Sequence, residues 1–310
     1  MRAVHRHCLA ATAAILVTTV LAPIAHGAEL AARPTLADVI KTSSAADWRA
    51  LNPANTLYMT VPAGRVVIEL APVFAPQHVA NIRTLVREQY FDGLAVIRSQ
   101  DNWVVQWGDA DEAHPRAFGT ARASLPGEFT IPLKDDRQFT RLPDGDVYAP
   151  QVGHSNGMPS ARDQKAGLAW LAHCYGMVGV GRDNGADSGN GSALYVVIGH
   201  GPRHLDRNIT VVGRVVAGMA LLSTVPRGPG AMGFFDKPGQ QVPISAVRLA
   251  ADVPEAERSH LEVMRTDSAA FARAVEAQRN RGGPWTKVAA GRVDLCNAPI
   301  PVREVAGAAP

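Results

Sequence analysis

Two polar side chains occur within apolar, strand-like segments. Arg98 ends one such run, and Gln106 lies inside the next. Strand alternation places Gln106 on the same face as Val104, and a buried guanidinium must find hydrogen-bond partners. The chemistry open to such a pair is hydrogen bonding, which needs no nucleophile, metal or cofactor. The residues alone leave two interpretations open: a site, or a strand-end arginine and a surface glutamine, both of which are common.

A second pattern is that of a hydrolase nucleophile. Residues 153–157 match G-x-S-x-G, with Ser155 at the centre. That motif requires a strand before the serine and a helix after it. Pro150 and Pro159 flank the motif and disfavour both elements. We interpret the match as chance, and catalysis by Ser155 as a distant alternative.

Two further patterns are typical of metal sites. His200 and His204 have the i, i+4 spacing of zinc ligands on a helix, but Gly201 and Pro202 separate them, and zinc sites use three or four ligands. The acidic loop 183–187 suggests calcium but lacks the closing glutamate of an EF-hand. We interpret both as loop residues, and no metal or cofactor is expected.

The elements around these residues are mostly short strands bounded by turn residues. One amphipathic helix is expected over Pro76 to Gln89, where apolar residues recur every three or four positions. Seven strands with few helices between them favour a sandwich or barrel over a doubly wound sheet. The predicted strands cover 57–61, 65–70, 95–98, 104–107, 176–181, 192–198 and 210–215.

Composition indicates a globular protein with little tendency to bind nucleic acid. The 310 residues are 46% hydrophobic, and 28 Gly and 22 Pro require many turns. Without residues 1–27, which carry Arg2 and Arg6 and no acid, 29 basic residues face 28 acidic ones. Binding of nucleic acid requires a clustered basic face, so we expect no such partner.

The first residues are typical of an export signal. Arg2 and Arg6 precede an apolar run from Leu9 to Leu21, which is shorter than a membrane-spanning helix. We expect a signal peptide over 1–27 and a periplasmic or secreted protein, with a membrane anchor as the alternative. Cys174 and Cys296 then remain as a pair that either forms a disulfide or stays as two thiols.

The predicted organisation has four parts. After the signal peptide, a lead-in covers 28–55, the strand-rich domain covers 56–250, and a C-terminal extension covers 251–310. Residues from about 110 to 175 are expected to be a large loop insertion, in which 165–175 forms a short helix or strand. In the extension, helical spacing from Pro254 predicts a long helix, followed by an extended arm in which Trp285 could be an anchor.

Several short motifs occur in a recognisable order. Phe91-Asp92-Gly93, then Arg98, then 103–109, are followed by 176–182, 191–196, 205–206 and 211–219. This series resembles the cyclophilin-type peptidyl-prolyl cis-trans isomerases, whose signature is Tyr/Phe-Asp-Gly, Arg and Gln-Gly-Gly-Asp. The resemblance covers Leu57 to Val225 and excludes the insertion and both ends.

The resemblance implies an all-β fold, a closed antiparallel eight-stranded barrel capped by helices over 76–89 and 219–225. It implies catalysis by Arg98 and Gln106 on proline-containing polypeptides. Because we also expect an export signal, this catalysis implies a role in folding exported proteins. The oligomeric state stays open. The implied substrate-binding residues are Trp103, Val104, Gly181, Ala193, Tyr195, His204, Leu205 and Ile209.

The chain departs from the family pattern at five positions. Trp107 stands where glycine is usual, and Ala193 stands where glutamine is usual. His204, Ile209 and Trp103 stand for a usual tryptophan, a usual histidine or tyrosine, and a usual phenylalanine. Trp107 and Ala193 motivate an alternative function, a catalytically weak module that binds extended or proline-rich segments. They also raise the question of whether Trp107 fills the groove.

Overall fold

The computed structural model describes residues 32–111 and 113–305, so the expected signal peptide over 1–27 lies outside the described residues. The four α-helices in that part are α1 Leu36–Thr42, α2 Pro76–Arg87, α3 Met219–Ser223 and α4 Ala269–Arg279. None of the described helices is long and apolar enough to cross a membrane. The strands are β1 Trp48–Ala50, β2 Thr56–Val61, β3 Gly64–Leu70, β4 Ala95–Ser99, β5 Val104–Gly108, β6 Ile131–Pro132, β7 Phe139–Leu142, β8 Gln151–Ser155, β9 Met158–Asp163, β10 Leu168–Leu171, β11 Met177–Val180, β12 Leu194–Val197, β13 Val211–Ala217, β14 Val242–Pro243, β15 Ala246–Leu249, β16 Leu261–Met264 and β17 Val302–Glu304.

The main sheet contains all seven strands that the sequence predicts. It has nine strands in the order β14-β4-β5-β12-β11-β13-β3-β2-β15, and every pair is antiparallel. The expectation of a closed eight-stranded barrel is therefore wrong. The main sheet has nine strands and forms an open half-barrel. Its two edge strands belong to one chain segment, 242–249, which bends between them. Ile244 donates to Leu94 O at 2.8 Å on one side, and Ser245 donates to Thr60 O at 3.0 Å on the other.

The predicted helix over 76–89 is α2, and the second capping helix is α3. Pro76 opens α2 at a position where the first turn needs no N–H donor. The predicted stripe of Val79, Ile82, Leu85 and Val86 is buried against the concave face of the main sheet. This face of the sheet therefore holds the larger hydrophobic core.

The insertion folds as a second sheet, so the expected large loop is wrong. Its order is β6-β10-β9-β8-β7, all antiparallel, and the stretch 165–175 contributes strand β10. Val152, Ala161, Ala169 and Trp170 are buried in a second core. In these strands small and large apolar residues follow one another without a regular alternation of apolar and polar residues. The sequence therefore lacks the two-residue periodicity from which strands are predicted.

Both ends of the described chain pack on this second core. Strand β16 pairs with β1 and β17, and α1 contacts α4. The predicted helix from Pro254 is therefore mostly wrong, because Leu261 and Met264 lie in a strand and only 269–279 is helical. The Ser268 hydroxyl accepts the Phe271 N–H and caps α4, which fixes where the helix begins. Trp285 is 86% exposed and anchors nothing.

A disulfide joins the insertion to the C-terminal arm. Cys174 follows β10, Cys296 lies in the arm, and their Cα atoms are 4.9 Å apart. The bridge closes a loop across a sequence separation of 122 residues. Of the two states that the sequence leaves open, the structure has the disulfide.

A buried histidine in β8 makes the stability pH-dependent. His154 is 1% exposed, its ring packs edge-on against Phe271, and its Nε2 has no protein partner among the described residues. Burial, followed by the charge of Arg214, lowers the pKa of His154 to about 3. The unfolded chain, with an ordinary histidine pKa near 6.5, therefore binds a proton that the folded chain does not.

We expect the free energy of unfolding to fall as the pH falls from 6.5 to 4.5. The contribution of His154 approaches about 1.4 kcal/mol per pH unit. His154→Gln should remove this part of the slope, measured by urea denaturation across that range. His114→Gln is the matched control, because the His114 side chain is exposed. Equal slopes in wild type and His154→Gln would contradict the prediction.

Candidate functional site

Arg98 and Gln106 lie side by side on neighbouring strands. They are register partners in β4 and β5, and Arg98 Nη1 donates to Gln106 Oε1 at 3.3 Å. A bulge between Val96 and Arg98 makes this possible, because regular alternation would keep Arg98 on the same face as the core residue Val96. The bulge thus turns Arg98 to the outer face of the sheet, where Gln106 already lies.

Other contacts fix the guanidinium. Arg98 Nε donates to the Met232 carbonyl at 2.7 Å, and Nη2 donates to Gln100 Oε1. The Phe234 ring lies 5.3 Å from the guanidinium carbon. Burial lowers the pKa of Arg98, but arginine starts so far above neutral pH that it keeps its charge. The result is an oriented cation beside an amide.

Apolar side chains gather next to this pair on the same outer face. Val104, Tyr195 and Val197 are buried there, with Trp103 and Ile209 packed against them. We call these five residues the outer cluster. Tyr195 is the register partner of both Gln106 and Gly179. A Cβ on Gly179 would lie 2.2 Å from the Tyr195 ring, so glycine there leaves the space that the phenol occupies.

Trp107 lies on the opposite face and does not occupy the groove. It is 1% exposed and belongs to the core of the concave face. Since side chains alternate along β5, Val104 and Gln106 point outward, and Val105 and Trp107 point inward. A tryptophan in place of glycine therefore changes the packing of the core and not the outer surface.

The remaining predicted groove residues divide into two groups. Gly181 and Ala193 are half-buried beside Gln106, and a Cβ on Gly181 would lie 3.2 Å from both Ala193 Cβ and Gln106 Nε2. His204 and Leu205 lie in the turn Arg203–Leu205 at the other side of the outer cluster. The exposed His204 ring stacks on Trp103 with centroids 5.4 Å apart, and Leu205 is half-buried.

Behind the outer cluster is a buried polar network that the sequence analysis does not predict. His173 Nε2 lies 2.9 Å from the Tyr195 hydroxyl, and His173 Nδ1 lies 3.0 Å from Asp206 Oδ1. Asp206 also accepts from Arg203 Nε at 2.7 Å, and Arg203 donates to Asp146. A carboxylate only accepts, so we assign the Nδ1 proton to His173 and the Tyr195 O–H as donor to Nε2.

The network sets the ionisation of its members. Burial, and then the charge of Asp206, raises the pKa of Tyr195, so the phenol stays neutral. Burial also opposes ionisation of Asp206, but hydrogen bonds from His173 and the charge of Arg203 outweigh it and lower the pKa of Asp206. In the sequence, His173 lies in an otherwise apolar segment and Asp206 lies in a turn segment, 33 residues apart. This placement is the sequence signal that could have identified the network.

Removing the Tyr195 hydroxyl should lower the stability. In Tyr195→Phe the His173 Nε2 atom is left buried without its donor, which typically costs about 1–3 kcal/mol. We expect a loss of this size in chemical denaturation. Tyr175→Phe, whose side chain is half-exposed, is the control. An unchanged denaturation midpoint for Tyr195→Phe would contradict the prediction.

The other sequence patterns do not form sites of the kind they suggest. Ser155 is buried, its Oγ lies 2.7 Å from Ser160 Oγ, and Asn156-Gly157 is the tight turn of the β8–β9 hairpin. Both turn residues have positive φ, of 49° and 80°, which is the backbone that Asn-Gly favours. Among the described residues, no three His, Cys, Asp or Glu side chains are grouped to hold a metal ion.

Comparisons with known proteins identify the family of this chain. Residues 56–249 match the family model "Cyclophilin type peptidyl-prolyl cis-trans isomerase/CLD". A probable peptidyl-prolyl cis-trans isomerase of Brucella suis is 30% identical over 190 residues, 61% of this chain and 78% of that protein. A peptidyl-prolyl cis-trans isomerase-like 1 protein of Gibberella zeae is 27% identical over 189 residues, 61% of this chain and 91% of that one.

A solved structure shares the fold over most of the chain. The cyclophilin AquaCyp293 from Hirschia baltica superposes with a TM-score of 0.69 at 24% identity, covering 87% of this chain and 97% of that one. The structural likeness therefore reaches beyond residues 56–249.

Proposed function

Because the chain belongs to the cyclophilin-type peptidyl-prolyl cis-trans isomerase family, we propose that Arg98 and Gln106 carry its isomerase activity and that the outer cluster binds the proline ring. The observation that carries this proposal is the contact between Arg98 and Gln106 immediately beside the outer cluster. The same outer face thus offers a cation, an amide and an apolar surface. These are the groups that a twisting X-Pro bond requires.

The chemistry follows from the electronic structure of the amide. Rotation about a peptide bond has a barrier of about 18–20 kcal/mol because the partial double bond is lost at the twisted state. The proline nitrogen then becomes pyramidal and accepts a hydrogen bond that the planar amide accepts poorly. Arg98 is a donor that binds the twisted amide better than the planar one, and such differential binding lowers the barrier.

The contacts of Arg98 prepare it for this role. Nε is held by the Met232 carbonyl, and Gln100 and Gln106 each accept one hydrogen bond from the terminal nitrogens. The terminal nitrogens carry four N–H groups, so donors remain beyond those two bonds. A guanidinium that is already oriented loses little entropy when the transition state forms. Gln106 fixes Arg98 and also presents an amide to the substrate backbone.

The outer cluster would hold the proline ring while the rest of the chain turns. Val104 and Tyr195 form the buried base of the cluster, the half-buried Ile209 provides apolar surface, and Trp103 provides a wall that His204 supports by stacking. The small residues Gly181 and Ala193 lie close to Gln106, so no large side chain lies between its amide and an extended substrate backbone. Proline-containing polypeptides are therefore the proposed substrates.

We further propose that the substrates are exported proteins and that this chain is periplasmic or secreted. Two observations support this: the basic and apolar segment at 2–21, and the disulfide between Cys174 and Cys296, a bond typical of oxidising compartments. Fractionation of cells that express the full chain, with sequencing of the mature N-terminus, tests the location. A cytosolic, unprocessed chain would contradict it.

The experiment for the catalytic proposal measures both turnover and binding. Wild type should accelerate cis/trans exchange of X-Pro peptides, which takes tens to hundreds of seconds unaided. The alternative, a binding module, is favoured by one observation: Phe234 and the Met232 carbonyl cover part of Arg98. Peptide binding in calorimetry without faster exchange in NMR would support the alternative and contradict catalysis.

A further inference from the structure

A second cleft adjoins the outer cluster and has no part in the mechanism above. It encloses about 600 Å³ and is lined by residues within 144–148, 199–203 and 292–297, together with Tyr175. The first range belongs to the insertion, the second to the main domain and the third to the C-terminal arm. We call it the side cleft.

The side cleft and the outer cluster share a wall. His200 lines the side cleft, and its N–H donates to Asn102 Oδ1 at 2.9 Å, one residue before Trp103. Arg203 also lines it and begins the turn whose next residue, His204, stacks on Trp103. A polypeptide with its proline in the outer cluster can therefore continue over this wall into the side cleft.

The lining favours an apolar or aromatic occupant. Val147, Tyr148 and Tyr175 expose 91%, 49% and 49% of their surface, an unusual concentration of exposed apolar side chains in one place. Two of the acidic groups there are already paired, Asp146 with Arg203 at 2.7 Å and Asp144 with Arg279 at 2.6 Å, and the third, Asp294, accepts the Cys296 N–H at 2.9 Å. A cationic ligand would have to displace these contacts, whereas an aromatic ring would cover the exposed tyrosines. The exposed guanidinium of Arg292 also lines the cleft, and guanidinium groups pack favourably on aromatic faces.

We propose that the side cleft binds a bulky apolar side chain, preferably aromatic, of the polypeptide whose proline occupies the outer cluster. This proposal rests on the proposed function, because it assigns that groove a second subsite. The selected substrates are then unfolded segments in which an aromatic residue lies a few positions from a proline. Each residue of an extended chain adds about 3.3 Å, so a short spacing spans the wall.

The test uses one X-Pro peptide core and a single phenylalanine placed at successive positions on either side. An alanine peptide is the reference, and isomerisation is followed for wild type, Tyr148→Ala and Tyr175→Ala. At the best position we expect wild type to show kcat/KM about tenfold higher for phenylalanine than for alanine, equivalent to about 1.4 kcal/mol. Both variants should reduce this preference to below about threefold, with the alanine peptide turned over at the wild-type rate.

Trp285→Ala is the matched control, since Trp285 is an exposed aromatic residue of the arm outside the side cleft. It should keep the full preference for phenylalanine. Equal kcat/KM for all peptides in wild type, or a preference that survives both tyrosine variants, would overturn the subsite while leaving isomerase activity intact.

If no peptide is turned over, the proposed function fails. Fluorescence anisotropy of the same peptides then tests whether the side cleft binds an aromatic side chain. Tighter binding of one phenylalanine peptide, lost in Tyr175→Ala, would support the cleft. Equal binding of all peptides would overturn it.

Discussion

Arg98→Ala is expected to lower kcat/KM for X-Pro isomerisation by about 100- to 1000-fold, the usual effect of removing one preorganised donor to a transition state. The loss should fall on kcat more than on KM, because the guanidinium interacts with the twisted amide and the outer cluster binds the proline ring. Arg98→Lys should recover little, since an ammonium cannot bond Met232, Gln100 and Gln106 from one planar group.

Protease-free NMR exchange on peptides measures this prediction directly. The matched control is Arg87→Ala, which removes an arginine whose ion pair with Asp252 is exposed and should leave both activity and stability close to wild type. Circular dichroism and thermal unfolding of Arg98→Ala should show that the sheet is intact. A rate within threefold of wild type would remove Arg98 from the catalytic machinery.

Loss of the disulfide should produce the largest change in stability. Replacing both Cys174 and Cys296 by serine frees a loop that the bridge now closes across 122 residues. The entropy of the unfolded chain then rises, and removal of a native bridge commonly lowers the free energy of unfolding by about 2–5 kcal/mol. The arm and the insertion meet only in the folded state, so we expect a value toward the upper end.

Guanidinium denaturation with and without dithiothreitol checks this expectation. Wild type should shift to the midpoint of the double variant when it is reduced. The double variant should not respond to dithiothreitol at all, which makes it its own control for effects of the reductant. Coincident midpoints of oxidised wild type and the double variant would show that the bridge adds no stability.

Local patterns were enough to predict the main strands and α2. Each strand of the main domain is bounded by Gly, Asn, Asp or Pro, and α2 keeps a regular apolar stripe from Val79 to Val86. The same patterns drew attention to Arg98 and Gln106 as polar residues on apolar strands, but only the resemblance to a family assigned them to a site. The register of those two residues could not be predicted, since the bulge before Arg98 depends on how β4 fits against β5.

Other features depend on contacts between distant segments. The network of His173, Tyr195 and Asp206 joins three elements that no local pattern connects. The insertion was expected to be a loop because its strands bury small alanines such as Ala161 and Ala169 without clear alternation. In the extension, Leu261 and Met264 have helical spacing, yet pairing of β16 with β1 overrides it.

The two faces of β5 and β12 have a consequence for how such proteins diversify. Trp107 and Leu194 belong to the core of the concave face, whereas Gln106 and Tyr195 lie on the outer face of the same two strands. A replacement at an outward position that is only half-buried or exposed, such as 193 or 204, leaves the packing of the concave face untouched, so the outer face can change by single mutations that selection on folding does not remove. Histidine at position 204 and alanine at position 193 illustrate the kind of change that this separation tolerates.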